Sequence, residues 1–149
     1  MDFVGNKNEE YKSVLAATDN FPELKISEFQ SLFNFLSNET EAGILHQAKV
    51  SRIKVHRELV DTIAQYDDLT ALSVAKFGDE ESGTTLYTQA VFALTASELI
   101  GIKISTDTTA EAADRQEALN SKKEHCEVQY RQAVDLLIHG EETYCFEVV

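Results

Sequence analysis

The residue types able to do chemistry are few, and their spacing works against most of it. His125, Cys126, His139 and Cys145 are metal ligands by type. On one helix, however, the 14 residues between His125 and His139 correspond to about 21 Å of axis, so the two cannot share an ion. A cysteine nucleophile needs a partnering histidine and a positive setting. Cys126 follows His125 directly, but adjacent helical side chains point about 100° apart. Cys126 also falls on an apolar seam, as a small core residue would. The four histidines form no pair suited to acid–base work, and the carboxylates are spread over solvated faces. Gly78 and Gly83, the closest glycines, are not followed by the lysine of a phosphate loop. No catalytic, metal or cofactor-binding residue is expected from these types and spacings, and no cofactor.

The concentrated group is basic. Lys49, Arg52, Lys54, His56 and Arg57 place four of the 13 Lys and Arg within nine positions. Nucleic acid is one reading of such a cluster, but no aromatic residues interleave it and Arg52 falls inside an apolar stripe. The other reading is an interface in which Lys49, Arg52, Lys54 and Arg57 meet acidic residues of a neighbouring subunit. The whole chain supports that second reading. Its 149 residues carry 26 Asp and Glu for a formal net charge of −13, which repels free nucleic acid and anionic membranes. Acidity of this kind keeps a protein soluble, and it also suits a wall past which a polyanion must slide.

The elements that position this cluster read as helices. One proline, six glycines, 43% apolar and 26% charged residues describe one ordinary domain and argue against an all-β sandwich. Two cysteines are too few for a disulfide framework. No basic-then-apolar leader opens the sequence, and no apolar run spans a membrane. A polar stretch over residues 1–20 reads as an N-terminal arm, with a short helix at Val14–Ala17 or an arm that orders on a partner as the two options. Phe21-Pro22 breaks the chain. A first helix is expected from Ser27, with Ser27 and Gln30 as a capping box and Phe29, Leu32, Phe33 and Leu36 on one face.

A long helix is expected over Thr40–Tyr66, burying Ile44, Leu45, Ala48, Val55, Leu59, Ile63 and Tyr66. A packed connection to Gly83 would follow, with a turn at Gly78–Gly83. Two more helices are expected over Thr85–Ile104 and Ala110–His139, the last with a seam of Ala112, Leu119, Cys126 and Ala133 beside Tyr130, Val134 and Leu137, stopped by Gly140. The fold class is thus an all-α antiparallel bundle over residues 21–140, with Leu45, Leu59, Ile63, Tyr87, Val91, Leu94, Leu119, Tyr130 and Leu137 in its core.

Residues 141–149 form a different kind of segment. Tyr144, Phe146 and Val148 share one face if the chain is extended there. Such a strand packs back on the bundle, pairs with the N-terminal arm, or joins another molecule.

The order of these features resembles a known family. Phe21-Pro22, the basic-patched helix, Gly78-Asp79-Glu80, the run Leu86-Tyr87-Thr88-Gln89-Ala90-Val91, the final helix with Tyr130-Arg131-Gln132-Ala133-Val134 and the apolar tail are similar to the L-type head completion (head–tail connector adaptor) proteins of contractile-tailed phages. The resemblance implies a structural virion protein of the neck, made in the host cytoplasm. It further implies a homo-oligomeric ring, a dodecamer, below the portal protein. That ring continues the DNA channel, with non-specific proximity to phage DNA, and hands over to a stopper or tail-terminator protein. Catalysis is not implied. Under this resemblance Tyr144, Phe146, Val148 and Val149 are the portal-docking residues. A small cytoplasmic helical regulator that binds another protein is the alternative reading of the bundle.

Overall fold

The computed structural model describes residues 9–36, 38–106 and 112–141. Of these described residues, 75% are helical. Two short strands, β1 (Val14–Leu15) and β2 (Leu24–Lys25), precede α1 (Ile26–Leu32), a 3-10 turn (Asn34–Leu36), α2 (Glu41–Ile63), α3 (Leu69–Phe77), α4 (Glu81–Thr106) and α5 (Ala112–His139).

α4 is the centre of the bundle. It runs antiparallel to α5, with Gln116 Nε2 reaching the carbonyl of Ile104 at one end, and it also packs on α2 and α3. Tyr87, Ala90, Val91, Phe92, Ala93, Thr95, Ala96 and Ile100 are all buried, so this helix is covered almost all round rather than along one stripe. Leu94, expected in the core, is only partly buried, and Phe92 takes the interior position. Full burial of side chains such as Tyr87, Phe92 and Ile100 stabilises the fold by about 1.5–3 kcal/mol each before ordering costs. Of the other expected core residues, Leu59, Ile63, Val91, Tyr130 and Leu137 are buried, and Leu45 and Leu119 pack at its edge.

The long helix α2 begins where the sequence indicates. Thr40 is its N-cap and accepts from the Gly43 amide at 3.1 Å. The expected connection after it contains a helix of its own. Asp68 caps α3 by accepting from the Ala71 amide at 2.8 Å, and Gly78 ends it with φ of 80°. Gly83 belongs to α4 rather than to the turn. A Cβ there would lie 2.7 Å from the Ser73 Cβ, so its lack of side chain permits the close crossing of α3 and α4.

Two local expectations are corrected. Ser27 does not cap α1: the helix starts one residue earlier, and its N-cap Lys25 makes no side-chain capping bond. The backbone just before β1 takes over that task, with the Ile26 amide donating to the Ser13 carbonyl at 3.0 Å. Phe29 reaches the core from α1, but Phe33 leaves helical geometry, so Phe33 and Leu36 reach it through the following turn while Leu32 is 54% exposed.

The described part of the expected N-terminal arm, residues 9–20, lies against the helices. β1 pairs antiparallel with β2, matching Val14 with Lys25 and Leu15 with Leu24. Tyr11 and Leu15 are buried. The Tyr11 hydroxyl donates to the Glu39 carbonyl at 3.0 Å, and Ser13 donates from both its amide and its hydroxyl to Glu41. Those bonds hold the Glu41 carboxyl below the usual range. Val14–Ala17 is thus no helix. The hairpin satisfies backbone groups that an isolated arm would leave to water.

Candidate assembly surface

The basic cluster sits on α2, and the helix turns its members in different directions. Arg52 crosses to the hairpin and donates to the Ala16 carbonyl at 2.8 Å. Lys54 reaches Glu98 on α4, which also accepts from Gln47. An exposed ion pair such as Lys54–Glu98 contributes little to stability, but it and the Arg52 hydrogen bond commit both cations to the chain's own frame.

His56 is turned inward. Its ring stacks on Phe21 with centroids 3.9 Å apart and planes 13° from parallel, and its Nε2 lies 2.6 Å from the Tyr87 hydroxyl. Burial, with a smaller contribution from the charge on Arg52, pushes its pKa down to about 4. Near neutral pH it is an uncharged packing residue. Tyr87 is raised above the usual phenol value, mainly by the same burial.

Lys49 and Arg57 are exposed and have no ion-pair or hydrogen-bond partner among the described residues. They share the outer side of α2 with Ile53 and Val60, which are 68% and 58% exposed. The helical reading of the sequence missed these two. Their signal was available, because both are aliphatic, seven apart, and outside the buried stripe of α2. Of the four expected interface cations, the fold therefore brings Lys49 and Arg57 together on an open face and spends Arg52 and Lys54 internally.

The other chemical candidates are placed as follows. Cys126 is buried, and burial with the neighbouring Glu127 pushes its thiol up to about 11, away from the thiolate form. Among the described residues no group of three His, Cys, Asp or Glu could hold a metal ion, and no helix is long and apolar enough to cross a membrane. Tyr144, Cys145, Phe146, Val148 and Val149 lie outside the described residues. No curated protein and no solved structure matches the chain. The family model described as phage head completion protein (GPL) matches residues 15–149, nearly the whole of it, and the chain accordingly belongs to the phage head completion proteins.

Proposed function

We propose that this head completion protein is the subunit of a closed ring seated beneath the portal of a DNA-filled head, in the neck of the virion. The ring continues the DNA channel and receives a stopper or tail-terminator protein on its other side. Its role is structural, with no reaction catalysed. The observation that carries the reading is the outer face of α2, where Ile53 stands in water between Lys49 and Arg57, two cations without a partner among the described residues, and Val60 stands exposed beyond Arg57, in a chain whose net charge is −13. Exposed apolar pairs rimmed by charge mark contacts with other proteins, and a family of virion proteins makes another copy of this chain the nearest one. The acidic remainder repels passing DNA, so the duplex moves through without adhering. The hairpin face and residues 141–149 are the regions offered to neighbours above and below, with Tyr144, Phe146, Val148 and Val149 docking on the portal.

Light scattering and negative-stain microscopy of the purified chain, followed by addition to filled, tailless heads, test this directly. Rings with a central opening, and tail joining only when they are supplied, are expected. A chain that stays monomeric at every concentration and leaves tail joining unchanged would overturn the proposal.

A further inference from the structure

We infer that the subunit contact joins two different faces of the chain. The outer stripe of α2, Lys49–Ile53–Arg57–Val60, seats on an acidic rim of a second copy made by Glu9, Glu10 and Glu28 around Leu32. The inference rests on the ring reading and names the counter-surface that reading lacks.

Positions 49, 53, 57 and 60 follow helical steps of four, four and three, so they form one stripe. Glu58 is the sole carboxylate between Lys49 and Val60, and it accepts from Tyr130 and Arg131 on α5. The stripe therefore presents two free positive charges about an apolar centre.

The rim is built by Gln30. Its Oε1 accepts from the Tyr11 amide and its Nε2 donates to the Glu9 carbonyl, each at 2.8 Å. This clamp sets Glu9 and Glu10 beside Glu28 along a shallow groove walled by Leu32, which is 54% exposed. Among the described residues no Lys or Arg lines that groove. Each face alone leaves an aliphatic side chain in water among like charges. Apposed, they cover apolar with apolar and match positive with negative, which sets register and partner choice. Because the two faces differ, the contact is head-to-tail, and repetition of a head-to-tail contact closes into a ring when the rotation permits.

Reciprocal charge reversal tests this. One variant carries Lys49→Glu and Arg57→Glu, the other Glu9→Lys, Glu10→Lys and Glu28→Lys. All five positions are exposed, and far-UV circular dichroism checks that each variant keeps its helices. Each alone is expected to need at least about tenfold more protein for half-assembly than the unaltered chain. Mixed in equal amounts they are expected to assemble at the unaltered concentration, since each basic face then finds an acidic one. If a charge variant misfolds, Ile53→Ser and Leu32→Ser carry the same single-variant expectation. Rings that form unchanged from either variant, or a mixture no better than its components, overturn this contact while leaving the ring reading intact. An unaltered chain that forms no ring overturns both.

Discussion

His56 Nε2 and the Tyr87 hydroxyl, 31 positions apart in sequence, stand 2.6 Å from each other beneath the ring of Phe21. This contact ties α2 to α4 and to the hairpin at one point. It is also expected to make the protein acid-sensitive. The ordinary histidine value of 6.5 is pushed down to about 4 in the fold, so the folded state favours the neutral ring. As pH falls below 6.5 the unfolded chain takes up the proton first, and stability is lost progressively until about pH 4. Urea unfolding midpoints across that interval are expected to fall more steeply for the native chain than for His56→Phe. That variant keeps the stacking but leaves the Tyr87 hydroxyl unpaired, at a cost of about 1–3 kcal/mol near neutral pH. Parallel pH profiles for the two proteins would refute the assignment.

Leu15 is the anchor of the hairpin at 2% exposure. Leu15→Ala is expected to cost about 2–5 kcal/mol, as for a core leucine, whereas a loosely attached arm would give a change near zero. Thermal melting of the variant decides between them.

Gly83 permits the α3–α4 crossing. Gly83→Ala drives a methyl against the Ser73 Cβ, whose hydroxyl both accepts from the Gly83 amide and donates to the Asp79 carbonyl. A loss of about 1–3 kcal/mol in chemical denaturation is expected, as for overpacking elsewhere. Adding Ser73→Gly is expected to recover part of that loss. A neutral Gly83→Ala would show that the helices separate at no cost.

Deleting residues 141–149 is expected to leave helicity and melting temperature nearly unchanged and to abolish docking on filled heads. A large drop in melting temperature instead would place these residues in the bundle's own core.

Much of the bundle was legible along the chain. Thr40 as a cap, the stripe from Ile44 to Ile63, the seam through Cys126 and Ala133, and Gly140 as a helix stop are local signals. A cap needs only its own next three residues, and an apolar stripe needs only the helical period. α3 was missed although Asp68 and Gly78 bracket it, because nine residues between two longer helices read equally as a packed connection.

What the sequence determined by itself is the all-α class, the acidic charge, the concentration of cations on α2 and the family resemblance, since each depends on residue type and short-range order alone. Only the tertiary structure decided which cations remain available. Arg52 and Lys54 are spent on Ala16 and Glu98, 36 and 44 positions away, and His56 is turned inward as a neutral ring onto Tyr87, 31 positions away. It also decided that Gln30, which locally reads as half of a capping box, clamps Tyr11 and Glu9 instead. A side chain with one set of hydrogen-bonding atoms cannot serve a local and a distant partner together. The choice depends on which backbone groups packing has cut off from water, and local sequence does not contain that information.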